Sequence, residues 1–313
     1  MLRYLRYEIC FELTAEYQLQ IKNEYLFFFS KSAIPDRNVV GMQDKHPHPQ
    51  RFIIKRGDDG EVKLTPETTE GPQYTVSIPL YIDANELALP YVQFPKNHFP
   101  AANWLYKLLV EESLFYQPDI SKLQVASPPG LPTSLTSDGS NLPWLALELK
   151  TKEESRFSLW QDHVKTEFPQ ISQIQVKVRE EDHHAYFVIT YDGGYKITSS
   201  GLSQGTLRFM ALTLVPYLDN LPSLIVIEEP ENGIHPRAIE TVLQSLSSVY
   251  DSQVIISSHS PVVLANSKLK DVLCARMEKN GAVSIIAGKS HPRLAKWNDA
   301  IDLGDLFATG MLG

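Results

Sequence analysis

Between Ser223 and Ser257 the chain reads SLIVI, then EEPENGIHP, then a periodic segment opening on Pro236, then QVIIS. SLIVI is a short, unbroken apolar run of the kind needed by a strand covered on both faces. Pro236 suits the first helical position, and Ile239, Val242, Leu243, Leu246 and Val249 mark the buried face of the helix it opens. QVIIS is a second such strand. Strand, helix and strand within about 35 residues form a βαβ crossover, which makes the two strands parallel and puts functional groups at their C-terminal ends.

The rest of the chain is organised around this unit. Residues 5 to 29 alternate loosely between apolar and polar, predicting antiparallel strands joined near Thr14 and Ala15. The stretch from Asp36 to Glu70 is polar and rich in turn formers, and RFIIKRGDDGEVKL within it reads as a second hairpin reversing at DDG. Trp104, Leu105, Leu108 and Leu109 recur at helical spacing, predicting one helix over 101–115. A loop, VASPPGLPTSLTSDGS, leads into NLPWLALELK and a second helix over 155–168; IQVKVREEDHHAYFVITYDGGYKI then reads as two or three short strands. TLRFMALTLVPYL places Leu207, Met210, Ala211, Leu214 and Leu218 along one side of a helix.

With 313 residues, 43% of them hydrophobic, the chain can bury a sizeable core, and its length suits two ordinary domains or one large domain with an insertion. Asp and Glu number 37 against 29 Lys and Arg, which argues against coating nucleic acid by bulk charge. The opening MLRYLRYEICFEL lacks a signal-peptide pattern, and no apolar run reaches spanning length. Cys10 and Cys274 are the two cysteines, so a reducing, cytoplasmic setting without a disulfide framework or membrane is expected.

Three segments carry chemistry. SLIVI delivers Glu228 and Glu229 to the crevice beyond the sheet, where carboxylates can hold phosphate-bound magnesium and orient an attacking water. Neighbouring strand residues face opposite ways, so Glu228 is placed near the metal and Glu229 near the water; a plain solvated strand end is the bland alternative. QVIIS runs into SSHSP, bringing His259 to the same crevice, where an imidazole can bond a terminal phosphate oxygen and sense developing charge. GLSQG precedes a helix, so the Ser203 hydroxyl, Gln204, Gly205 and free N–H groups at the helix start form either a phosphate-facing cap or a helix cap alone. Arg208 is placed to reach phosphate or to pair with local acids. His46 and His48 in KHPHP, and His183 with His184 in EEDHHAY, lack a full metal-ligand set and read as solvated loops.

Together, GLSQGTLR, LIVIEEPENGIHP and VIISSHSP resemble three motifs of the ATP-binding-cassette ATPases. Their forms are similar to the chromosome-maintenance-like ATPases grouped as a bacterial AAA15 family, with overcoming-lysogenization-defect ATPases nearby. In that resemblance Leu202 to Gly205 match the signature motif, with Ser203 its phosphate-binding serine. Ile225 to Glu229 match Walker B, with Glu229 as catalytic glutamate and Glu228 where an aspartate is usual. Asn232 to Pro236 fall at the D-loop, and His259 is the switch histidine. The resemblance implies an α/β P-loop NTPase of ATP-binding-cassette type, incomplete at the N-terminus, with an antiparallel strand region and an inserted helical and loop region. It divides the chain into 1–95, the strand-rich part of the head; 96–200, a helical and hairpin linker; and 201–313, the lobe carrying the motifs.

The same resemblance implies ATP and Mg2+ as cofactors, held between two head-to-tail heads, with each signature serine facing nucleotide on the other. It also implies a DNA-linked output such as defence or repair. Against this stands an absence: no G-x-x-x-x-G-K-[ST] occurs, and Val283, two residues ahead of IIAGKSHP, stands where the first glycine belongs, so Lys289 reads as part of a turn. The expectation is therefore an ATPase head that starts downstream of its P-loop and works as a homodimer or with a P-loop-bearing partner. A regulatory or scaffold partner that keeps only the dimerisation surface is the alternative.

Overall fold

A computed structural model describes residues 3–30, 51–57, 59–67, 78–93, 96–277, 283–291 and 303–310. His46 and His48 lie outside these residues. The chain divides into two compact units, Met1–Glu111 and Glu112–Gly313.

The first unit is built on an antiparallel sheet in chain order: β1 (Arg3–Leu13), β2 (Leu19–Ser30), β3 (Arg51–Arg56), β4 (Val62–Leu64) and β5 (Ile78–Leu80). The expected first hairpin turns at residues 14–18, and the second joins β3 to β4. Leu26, Ile53, Ile54, Val62 and Leu64 form its core with Ala88, Val92, Phe99 and Ala102. Glu24 is fully buried there, accepting bonds from the Ala88 and Leu89 amides and from Tyr7 Oη. Those bonds supply what a buried carboxylate requires and pin the 82–93 segment to the sheet. Burial, followed by the field of Glu24, pushes the Tyr7 hydroxyl far above its ordinary pKa. Helix α1 (Pro100–Tyr106) closes the unit, with Pro100 in its first turn and the Ala101 and Ala102 amides donating to the Glu67 carboxylate.

The expected helix over 101–115 is not one element. Regular helix ends at Tyr106, a wider turn covers Lys107–Glu111, and Ser113–Phe115 is strand β6, which opens the second unit. Helical spacing of leucines cannot register a partner strand. Leu114 pairs in parallel with Ile225, and the Tyr116 amide donates to the Val226 carbonyl at 2.8 Å, so a tertiary ladder claims this backbone.

In the second unit, α2 (Ile120–Gln124), α3 (Leu142–Lys152) and α4 (Glu154–Glu167) precede an antiparallel sheet of β7 (Ile171–Val178), β8 (Ala185–Tyr191) and β9 (Lys196–Thr198). NLPWLALELK supplies α3, burying Leu142, Leu145, Ala146 and Leu149. The turn before it is stitched by Asn141, whose amide donates to the Pro132 and Ser134 carbonyls. Burial disfavours charge on Asp138 in that turn, but bonds from Lys122, Ser140 and Thr136 prevail and hold its carboxyl well below the ordinary range.

Helix α5 (Gln204–Leu214), β10 (Leu224–Glu228), α6 (Pro236–Ser247) and β11 (Gln253–Ser257) follow, then α7 (Pro261–Ala265), β12 (Leu273–Met277), β13 (Val283–Ala287) and α8 (Leu303–Ala308). The βαβ crossover forms as expected: the parallel sheet runs β11, β10, β6, with Leu224 opposite Gln253 and Glu228 opposite Ser257. Ile225 and Ile227 are fully buried in the middle strand. Each contributes about 1.5–3 kcal/mol relative to exposure. Helix α5 is buried on more sides than a one-faced reading expects, since every residue from Phe209 to Leu214 is covered. It is anchored by the Tyr116 hydroxyl, which donates to the Ala211 carbonyl at 3.1 Å, and by Ser245 Oγ donating to the Thr213 carbonyl.

Candidate active site

The parallel strands end side by side. β10 finishes at Glu228, opposite Ser257 at the end of β11, and the ladder continues one step further as the Glu229 amide donates to the Ser257 carbonyl at 2.8 Å. The acid pair and the SSHSP segment therefore share one sheet end, as the crossover requires. Glu228 is exposed at the strand tip, and His259, two residues beyond Ser257, is exposed as well.

Glu229 departs from strand geometry. Its φ is +43°, in the left-handed region that residues bearing a Cβ avoid. Three contacts hold it. Its carbonyl accepts from the Asn232 amide and from Arg208 Nη2, both at 3.0 Å, and its carboxylate accepts from Asn232 Nδ2 at 2.5 Å. The left-handed turn ends the regular geometry of β10 at Glu229, whose carboxylate is held by Asn232, whereas Glu228 stands exposed at the strand tip.

Beyond it the loop closes on the histidine segment. Ser258 Oγ donates to Glu231 Oε1 at 2.5 Å and accepts from the Ser260 amide at 2.9 Å, bracketing His259 on both sides. Gly233 adopts φ +73°, and His235 caps α6 by accepting from the Arg237 amide through Nδ1 at 3.3 Å.

At the start of α5, Ser203 is the helix cap, its hydroxyl accepting from the Thr206 amide at 3.1 Å while lying 2.8 Å from Thr206 Oγ1. Ser203 and Gln204 are exposed. Gly205 has a packing reason of its own, because a Cβ there would lie 2.6 Å from the Gly233 carbonyl oxygen. The helix start thus rests directly on the acidic loop. Arg208 bonds the Glu229 backbone carbonyl and forms no ion pair with an acid among the described residues; burial lowers its pKa, opposed by the fields of Glu231, Tyr116 and Glu229.

Sequence reasoning missed the contributions of Glu231 and Tyr116, and it placed Ser258 near the sheet end without its bond to Glu231. Tyr116 lay inside no expected element, and nothing in EEPEN distinguishes a carboxylate that braces the loop from one that is merely solvated. The bland readings elsewhere agree with the geometry: His183 sits at a hairpin turn with φ +55°, His184 pairs with Asp182, and Lys289 lies in a short turn after β13.

Among the described residues, no three His, Cys, Asp or Glu side chains are grouped to hold a metal. A single exposed carboxylate such as Glu228 fits magnesium that arrives with nucleotide, since that ion keeps waters and phosphate oxygens as its other ligands. It does not fit a cage made by protein alone. No helix among the described residues is long and apolar enough to cross a membrane.

A family model described as "AAA domain, putative AbiEii toxin, Type IV TA system" matches residues 95–265, more than half of the chain. Old nuclease of Escherichia phage P2 is 32% identical over 97 residues, which is 27% of this chain and 17% of that protein. The chain thus spans less than a fifth of the curated relative's length. Among solved structures, the Smc head domain with a coiled coil and joint derived from Pyrococcus yayanosii is 14% identical over 43% of this chain and 26% of that one, with a TM-score of 0.35. The SmcHead bound to the C-winged helix domain of ScpA is 11% identical over 85% and 74%, with a TM-score of 0.41.

Proposed function

Because the chain belongs to the AAA-domain family whose model covers residues 95–265, we propose that it is the catalytic part of an ATP-binding-cassette type ATPase head. It hydrolyses ATP with magnesium once a phosphate-binding loop, which residues 1–313 do not contain, joins it. The observation that carries this reading is the convergence of Glu228, the left-handed Glu229 and the segment around His259 at one end of a parallel sheet. Glu228 meets the magnesium, directly or through water. Glu229 orients the attacking water, and His259 bonds the terminal phosphate as charge develops on it. Ser203, Gln204 and Gly205, at the exposed start of α5, face the nucleotide of a second head arranged head to tail.

The edge of the parallel sheet supports the need for a further segment. Among the described residues β11 pairs only with β10, and Ile255 in its middle is 42% exposed. Parallel sheets ordinarily have both faces covered. The added element is either part of the same polypeptide or a partner chain, and the output on this reading is a DNA-linked process such as defence or repair; the family's description, which names a toxin of a Type IV TA system, bears on the defence part alone.

The missing loop also favours a second reading, a regulatory or scaffold partner that uses only the dimerisation surface. Glu229→Gln separates the two. In the completed assembly it should suppress phosphate release roughly 100-fold or more while ATP-dependent association, followed by sedimentation, is retained or strengthened. Turnover at the wild-type rate removes Glu229 from its role, and absence of turnover in a folded, completed wild-type assembly favours the scaffold reading.

A further inference from the structure

The acidic loop after β10 meets α5 at two points. At one, Gly205 and Gly233 touch with no room for a side chain between them. At the other, Arg208, one turn further along α5, donates to the Glu229 carbonyl. Arg208 Nε and Glu231 Oε2 are both buried without a hydrogen-bond partner among the described residues. Their charges nevertheless feel each other, the Glu231 field opposing the effect of burial on the guanidinium. The other oxygen of Glu231 is taken by Ser258, which in turn holds the Ser260 amide. A continuous set of contacts therefore runs from α5, through the acidic loop, to the residues on either side of His259.

Glu229 depends on that set more than its neighbours do, because its backbone sits where a Cβ is disfavoured. Such a conformation persists only if the surroundings over-determine it. The Asn232 amide closes a local turn on the Glu229 carbonyl, and Arg208 is the long-range bond that ties that carbonyl to a buried helix. An arginine stays charged in this setting and offers several donors, so it can hold the carbonyl and face the Glu231 carboxylate together.

We propose that Arg208 is a positioning residue which, with Glu231, holds Glu229 in its left-handed conformation and ties that conformation to the start of α5. The role of Glu229 in turnover rests on the ATPase reading above; its conformation does not. If Ser203 and Gln204 meet the nucleotide of a facing head, the same helix that feels one nucleotide sets the carboxylate acting on the other.

The test has a structural arm that needs no nucleotide. In residues 1–313, Arg208→Ala should speed amide hydrogen exchange at Glu229 and Ser260 roughly ten-fold through local opening, leaving Val226 inside β10 unchanged. Arg208→Lys should restore part of the protection, and Glu231→Gln, which keeps the volume but drops the charge, should loosen Ser260 and Glu229 together. In the completed assembly, Arg208→Ala should lower turnover roughly 100-fold with the ATP KM altered less than about two-fold, and Arg208→Lys should recover part of it. Exchange at Glu229 that matches wild type in every folded variant overturns the proposal. If Arg208→Ala does not fold, Arg208→Lys and Glu231→Gln decide on the same measurement. If the wild-type assembly shows no turnover, the ATPase reading fails while the exchange result still decides whether Arg208 positions Glu229.

Discussion

Glu229 shows how one residue can be legible in sequence by type and illegible by geometry. A carboxylate at the end of SLIVI was expected, yet its φ of +43° was not, because glutamate carries no signal for the left-handed region that glycine or asparagine would. Placing a residue with a Cβ there costs about 1–2 kcal/mol, offset by the bonds that Asn232 and Arg208 donate to Glu229 and by the one its amide donates to the Ser257 carbonyl. His259 is the opposite case: its place at the sheet end shared with the acids follows from chain order alone, and the residue is exposed. His259→Ala should therefore lower the single-turnover rate at saturating ATP by roughly 10²–10³-fold, with a smaller loss of nucleotide affinity and an unchanged urea midpoint. Equal single-turnover rates in wild type and variant would make His259 an ordinary loop residue.

At the scale of elements, α5 is the piece on which the site is hung. Its start rests on Gly233, its middle holds Glu229 through Arg208, and its far end is bonded to Tyr116 and α6. Gly205→Ala should force two backbones apart, because the obstructing atom is a carbonyl oxygen and not the tip of a flexible side chain. The expected cost is about 1–3 kcal/mol, seen as a lower urea midpoint with unchanged slope; an unchanged midpoint would show that the loop yields freely. The spacing of the glycine, serine and arginine in GLSQGTLR was visible beforehand, but a phosphate-facing cap and a close approach of backbones both call for glycine, and sequence does not separate them. Strand β6 is the clearest loss. Three residues have too little pattern to compete with a helical run of leucines, and the reason they are a strand lies in β10, more than a hundred residues away.

At the scale of the whole chain, no G-x-x-x-x-G-K-[ST] occurs in residues 1–313, so on the proposed reading the cradle for the β- and γ-phosphates comes from elsewhere. Glu228, Glu229 and Glu231 follow one another at the end of β10, and on the proposed reading such acids, without opposing amides and a lysine, disfavour free ATP. Residues 1–313 alone should show weak ATP binding by calorimetry and negligible phosphate release even when folded. Adding the authentic P-loop segment, in cis or as a partner chain, should create magnesium-dependent turnover and slow amide exchange along β11, whose outer edge is open among the described residues. Robust turnover by the isolated chain that is lost in Glu229→Gln would overturn the idea of an incomplete head.

What the sequence by itself determined is what short-range pattern can encode. The βαβ crossover follows from two apolar runs and a proline-led amphipathic segment, and the convergence of Glu228, Glu229 and the SSHSP segment follows from the parallel strands that crossover enforces. Tertiary structure alone decided which backbones would meet. Leu114 became strand because β10 had an edge to fill, Gly205 was required because Gly233 came within reach, and Glu229 could turn left-handed because Arg208 stood on a helix packed behind it. Each outcome depends on a partner distant in the chain, so no window of local sequence contains its cause.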